Sequence, residues 1–380
     1  MRVMVHPKSK ILSLILGLPC LLVPGFVTKA TAATPCPIAQ MGPPPGAGPG
    51  GAMPPGVPPI LLATSTAPSD TSTSIVINPD PADQITCGKT ELKAIDNIVF
   101  ASPTLRNGRK LDLKMDLLSP KGAGKKPLVI YVTGGGFVMA GKENGLDLRT
   151  YVAEAGFVVA SIQYRVLSDG ADFHDGVADV KSAVRYLRAH AADYDIDPNK
   201  VAIWGESAGG YLVAMAGVTE NVKTFDQGDN LDQSSAVQAV IDKFGTSDMS
   251  QIGSDFDPAM QRYYYSANNP MAKYINGLSS QKGLQDDPTA HTTANPLTYI
   301  HPSATAFLIF SGSRDNIVSP TQTLILHNAL TAAGVHSTRY VLTGAKHGDM
   351  AFLGDRLAGL PWSSKETANI MVDFLNRTLK

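Results

Sequence analysis

The stretch Val201-Ala202-Ile203-Trp204-Gly205-Glu206-Ser207-Ala208-Gly209 decides the fold. Its first four residues are a short apolar run, as expected of a buried strand. A helix-compatible run, Ser207–Ala216, leaves it. Between them lies Gly-x-Ser-x-Gly, the sharp strand-to-helix turn that lifts a serine above a sheet. The glycines answer to space, because the turn leaves no room for side chains beside the serine. A Gly-rich turn with an ordinary exposed serine is the competing interpretation; the flanking strand and helix favour the nucleophile.

Outward from this turn, strands and helices alternate. Pro127–Thr133 (PLVIYVT) and Phe157–Tyr164 (FVVASIQY) are continuous apolar runs, the mark of parallel strands buried on both faces. Ala236–Phe244, Ala306–Phe310 and Tyr340–Leu342 supply further strands. Val177, Val180, Val184 and Leu187 recur at helical spacing, and residues 364–379 predict a closing helix. Leu111–Leu117 alternates apolar with polar residues, so it predicts a half-exposed strand, and Asn107-Gly108 before it is a hairpin turn signal. The pattern predicts an α/β fold: a mostly parallel central sheet with helices on both faces.

A serine nucleophile needs a base, an orienting acid and donors for the oxyanion. Thr133-Gly134-Gly135-Gly136-Phe137 closes the PLVIYVT strand, and consecutive glycines let backbone N–H groups converge without side-chain obstruction. Of eight histidines, His347 alone follows the final strand in a Gly-containing loop (Gly344-Ala345-Lys346-His347-Gly348-Asp349). Asp315 lies just past the strand AFLIF; Asp248 and Asp349 are the competing acids, and a helix-cap role for Asp315 is the alternative. The order Ser207, Asp315, His347 is the chain order of an α/β-hydrolase triad.

Together TGGGF, Gln163–Val166 (QYRV), the GESAGG turn, SGSRD and the KHGD histidine resemble the carboxylesterase/lipase group of α/β-hydrolases. The hormone-sensitive-lipase-like and bacterial feruloyl-esterase-like branches look most similar, over about residues 95–380. The resemblance implies that Gly135, Gly136 and Ala208 supply the oxyanion-hole N–H groups. Those branches carry His-Gly-Gly-Gly, whereas Thr133 stands here in place of the histidine that braces the loop. Glu206 is similar to the corresponding residue of type-B carboxylesterases, which leaves the subfamily open. The resemblance also makes residues 248–300, with Tyr263-Tyr264-Tyr265, a cap-like insertion; simple packing of these tyrosines onto the core is the alternative. Met350–Leu353, close after His347, either lines the pocket or packs beneath the histidine loop.

The N-terminal part belongs to a different regime. Residues 1–32 begin with Arg2, Lys8 and Lys10, continue with an apolar stretch broken by Pro19 and Pro24, and end in Ala30-Thr31-Ala32. This is the layout of a secretory signal peptide, too short and proline-broken for a membrane anchor. Residues 33–87 read as a linker: fourteen of the eighteen residues from Gly42 to Pro59 are Gly or Pro, and residues 61–85 are rich in Ser, Thr, Asp and Pro. The catalytic domain is placed at 88–380. Cys36 and Cys87 pair if the compartment is oxidising, or stay free thiols on a flexible segment.

The 380 residues hold 32 basic and 33 acidic side chains, a formal net charge of −1. That balance argues against nucleic acid as the main partner. Three cysteines are too few for a disulfide scaffold or a Cys-rich metal site, and no nucleotide-binding glycine motif is present. The expected protein is a secreted or periplasmic serine carboxylesterase acting on a small ester, with no cofactor or metal. A serine peptidase or acyltransferase of the same fold, and more distantly a silent binding module, are the alternatives.

Overall fold

The computed structural model describes residues 34–38, 58, 60–348 and 359–380. Residues 1–32, expected to be a signal peptide, most of the Gly/Pro-rich run, Asp349 and Met350–Leu353 lie outside these residues.

In chain order the strands are β1 (Thr34–Pro35), β2 (Ile75–Ile77), β3 (Thr86–Cys87), β4 (Leu92–Ala101), β5 (Leu113–Pro120), β6 (Lys126–Val132), β7 (Val158–Ile162), β8 (Ile196–Glu206), β9 (Ala239–Lys243), β10 (Ala306–Gly312) and β11 (Ser337–Leu342). The helices are α1 (Leu146–Glu154), α2 (Phe173–Ala189), α3 (Ala208–Val218), α4 (Pro258–Tyr265), α5 (Pro270–Asn276), α6 (Pro288–Ala294), α7 (Pro320–Ala332) and α8 (Lys365–Leu379).

Nine strands form one sheet in the order β2-β11-β10-β9-β8-β6-β7-β5-β4. Within it β5 pairs antiparallel with both β4 and β7, and the remaining pairings are parallel. The strand alternation of β6 divides the core. Leu128, Ile130 and Val132 join the layer that holds α2 and α3; Val129 and Tyr131 join the layer that holds α1 and α8. Continuous burial on both faces is why these strands read as unbroken apolar runs.

The helices start where their sequences provide caps. Asp172 accepts from the backbone N–H groups of His174 and Asp175, while the Asp175 carboxylate accepts from the Asp172 N–H, closing a capping box on α2. Ser364 caps α8 through the Thr367 N–H. The hairpin signalled by Asn107-Gly108 joins β4 to β5, with Gly108 at φ 82°. The structure starts β5 two residues later than expected, at Leu113.

The expectation that residues 33–87 form a linker is corrected over residues 60–87. Ile75–Ile77 is an edge strand of the main sheet, paired in register with Tyr340–Leu342 of β11. Around it, the Arg339 guanidinium donates to Ser74 Oγ at 2.7 Å, and the His327 ring lies 3.0 Å from the Thr73 carbonyl. Thr66 bridges to Phe256, and the Ala67 N–H donates to the Asp255 carbonyl. The composition misleads because the segment is held by backbone hydrogen bonds to residues some 190–265 positions away, which no local polarity measure registers.

Cys36 and Cys87 form a disulfide that ties β1 to β3. Its 51-residue separation corresponds to roughly 4 kcal/mol of lost unfolded-state entropy in the chain-closure model. Replacing both cysteines with serine is expected to lower the melting temperature by a few degrees, read by thermal denaturation with and without reductant. Reductant should then have no further effect on the double variant.

Candidate active site

The carboxyl ends of the central strands converge on Ser207. It sits between β8 and α3 at φ 54° and ψ −118°, a left-handed backbone that a serine adopts only when its surroundings impose it. Its N–H donates to the Lys243 carbonyl at 2.9 Å, and its carbonyl accepts from the Tyr211 N–H at 3.0 Å. The flanking glycines have no room for side chains: a Cβ on Gly205 would collide with the Gly209 backbone, and one on Gly209 with the Val132 carbonyl. α3 is buried along its whole length, which explains its lack of a polar face.

Asp315 follows β10, and its two oxygens have separate duties. Oδ1 accepts from the N–H groups of Ile317 and Val318, each at 2.9 Å; Oδ2 accepts from His347 Nδ1 at 2.8 Å. Both side chains are almost fully buried, and the imidazole meets the Phe244 ring edge-on at 4.7 Å. Ser207 and His347 line one pocket together with Gly134, Gly135 and Gly136. Gly136 and Ala208 also border an adjoining pocket that Ser207 lines as well. The competing acid Asp248 is used elsewhere: its carboxylate accepts from the Ser250 N–H and hydroxyl and from Gln251. Asp349 lies outside the described residues.

Thr133 does not leave the glycine loop unbraced. Its hydroxyl accepts from the Asn144 amide at 2.8 Å, and its carbonyl accepts from the Tyr164 hydroxyl at 3.1 Å. The carbonyls of Glu143 and Asn144 are in turn held by Arg149 at 2.8 Å each. Asn144 was missed in the sequence because it lies eleven residues beyond Thr133, which it holds, in a Gly/Lys/Glu/Asn stretch with no motif.

Beneath the turn lies a buried ion pair, Glu206–Lys243, at 2.6 Å. The Tyr131 hydroxyl donates to the other Glu206 oxygen, and the Lys243 ammonium lies 5.4–5.7 Å from the ring centroids of Trp204, Phe244 and Trp362. Removal of one member would strand the other charge in an apolar shell. Among the described residues, no three His, Cys, Asp or Glu side chains gather into a group able to hold a metal ion.

The insertion between β9 and β10 overhangs Ser207. Ile252, Tyr263, Tyr264 and Met271 line the wall of the adjoining pocket. Tyr264 also stacks on Phe256 and donates to the Ile317 carbonyl, and Tyr263 packs edge-on against Tyr264, so these two tyrosines pack and line at once.

This sheet order and strand–serine–helix turn define an α/β-hydrolase. The chain belongs to the BD-FAE family, whose model matches residues 115–330, more than half of its length. It is 27% identical to esterase LipQ of Mycobacterium tuberculosis over 59% of this chain and 50% of that protein. It is 26% identical to a probable isoprenylcysteine alpha-carbonyl methylesterase of Arabidopsis thaliana, over 68% of this chain and 54% of the relative. The chain thus spans about half the length of these curated relatives. Among solved structures, a truncated carbohydrate esterase from gut microbiota matches with a TM-score of 0.62 and 26% identity, covering 80% of this chain and 99% of that one.

One carboxyl beside the turn carries a pH signature. Asp242 is fully buried; its Oδ1 accepts from the Gly245 N–H at 2.9 Å, and its Oδ2 has no partner. Burial pushes its pKa from 3.8 up to about 7. Between these pH values the folded chain keeps a proton that the unfolded chain has released. Asp242 therefore makes stability fall as pH rises from about 4 to about 7, by on the order of a few kcal/mol. Asp242→Asn keeps the acceptor for Gly245 and should flatten that slope, measured by urea denaturation across the range. A slope equal to wild type would show that Asp242 does not titrate there.

Proposed function

We propose that this protein is a secreted serine carboxylesterase that hydrolyses small carboxylic esters through an acyl-enzyme. The observation that carries this is the Asp315–His347 hydrogen bond at 2.8 Å, made in a pocket that His347 shares with Ser207 and the glycine loop. The esterases among its relatives support the reaction class. The Cys36–Cys87 bond supports an oxidising compartment.

His347 Nε2 takes the proton of Ser207 Oγ as Oγ attacks the ester carbonyl. Asp315 keeps the other ring nitrogen protonated and stabilises the imidazolium. Because Asp315 Oδ1 is already held by two backbone amides, Oδ2 has one position to offer, which sets the plane of the ring. The N–H groups of Gly135, Gly136 and Ala208 receive the charge that forms on the carbonyl oxygen, each worth about 3–4 kcal/mol. Collapse of the tetrahedral species breaks the bond to the alcohol oxygen, which takes the proton from His347. Water then attacks the acyl-serine with His347 as base, releasing the acid and restoring Ser207. The loop geometry that the usual histidine would set is assigned here to the Asn144–Thr133 bond.

Hydrolysis of p-nitrophenyl acetate and butyrate by the protein lacking residues 1–32 tests the reaction. Ser207→Ala should lower kcat by about 10⁴-fold or more, and Asp315→Asn by about 10⁴-fold through the wrong imidazole tautomer. A folded wild-type protein without turnover on any ester would overturn the proposal. Asn144→Ala should lower kcat by about 10–100-fold, since an oxyanion loop displaced by about 1 Å costs that much, while Ser207 still reacts with an organophosphate probe. Unchanged kcat would show that Asn144 only packs.

A further inference from the structure

Ile60 and Leu61 belong to the stretch whose composition predicts a linker, yet they line pockets that contain Ser207. Ile60 lines both pockets that meet at Ser207. It packs so closely on the glycine loop that a Cβ on Gly136 would come within 2.6 Å of its Cδ1. Leu61 lines only the pocket beneath the insertion.

The segment is fastened on two sides. Toward the acid loop, the Ala63 N–H donates to the Asn316 carbonyl at 2.8 Å and the Thr66 hydroxyl to the Asp315 carbonyl at 2.6 Å. Toward the insertion, Thr66 pairs with Phe256 and the Ala67 N–H donates to the Asp255 carbonyl at 2.8 Å. Ala63, the first of these anchors, is buried. Residues 60–67 therefore form a strap held against the site, with Ile60 at the point where the two pockets join.

The chemistry gives each pocket a role. The leaving oxygen must receive its proton from His347, so the alcohol part of the ester lies on the side that His347 lines, with Met139, Asn144 and Phe244. The acyl part then points into the other pocket, walled by Leu61, Phe137, Ile252, Tyr263 and Met271. These walls are apolar or aromatic, so the fitting acyl group is apolar.

We propose that the strap sets the acyl specificity of this site, with Ile60 as the residue that divides acyl from alcohol pocket; the assignment rests on the esterase reading above. Shortening Ile60 opens the acyl pocket at its mouth, and enlarging it closes the entrance to long chains while an acetyl group remains small enough to pass.

The test is kcat/KM for p-nitrophenyl acetate, butyrate and octanoate with wild type, Ile60→Ala, Ile60→Trp and Leu62→Ala. Leu62 is exposed and lines neither pocket. The alcohol is constant, so changes report on the acyl side. The octanoate-to-acetate ratio should rise about fivefold or more in Ile60→Ala and fall about tenfold or more in Ile60→Trp, the range that a few methylenes command in an apolar pocket. It should stay within about twofold of wild type in Leu62→Ala. Melting temperatures identify any variant that misfolds, and the opposite-size variant then carries the comparison. Active wild type with an unchanged ratio in the folded Ile60 variants overturns the strap proposal alone. Wild type inactive on all three esters overturns the esterase reading and the strap with it.

Discussion

The strand β8 must turn into α3 in a space already occupied by the end of β6. Most of the site follows from that crowding. Gly209 lies against the Val132 carbonyl and Gly205 against the Gly209 backbone, so no side chain fits at either position. The turn closes only with Ser207 at positive φ, which raises its side chain above the sheet. The same crowding brings the glycine loop close: a Cβ on Gly134 would lie 3.1 Å from Ser207 Cβ. Strain at one residue is thus supported by a fully buried helix and by two neighbouring strands.

The charges under the turn belong to the same design. Glu206 follows the strand inward and meets Lys243 at the corresponding end of β9, where their register places them side by side. Asp242, one residue earlier, faces the other layer and the helix α3 at Gly210. One buried carboxylate is matched by an ammonium among aromatic rings, while burial raises the pKa of the other to about 7. Adjacent strand residues point to opposite faces, and the two carboxyls meet opposite environments for that reason.

Two separate pieces of chain complete the pocket. The insertion contributes Ile252, Tyr263 and Met271, and residues 60–67 contribute Ile60 and Leu61. Both are fastened to the acid loop, through Tyr264 to Ile317 and through Thr66 to Asp315. A displacement of either would reach the carboxyl that orients His347 through covalently adjacent backbone, so pocket shape and imidazole orientation share their supports.

Much of this was legible in the chain itself. The apolar runs of β6, β7, β8 and β10, the Gly-x-Ser-x-Gly turn, the glycine loop and the order of Ser207, Asp315 and His347 are local patterns. Each is dictated by burial on two faces or by a steric demand within a few residues, and such demands must be written in neighbouring positions. Asn144 as the partner of Thr133, Lys243 as the partner of Glu206, the edge strand Ile75–Ile77 and Ile60 at the mouth of the pocket were not legible. Each depends on a contact across 11 to more than 250 residues. A polar or proline-rich composition says how little a segment can bury, and nothing about which distant backbone groups will hold it. The sequence by itself determined the strand–serine–helix framework and the chain order of Ser207, Asp315 and His347; only the tertiary structure decided what braces the loop and what shapes the space around the serine, because those partners meet through folding alone.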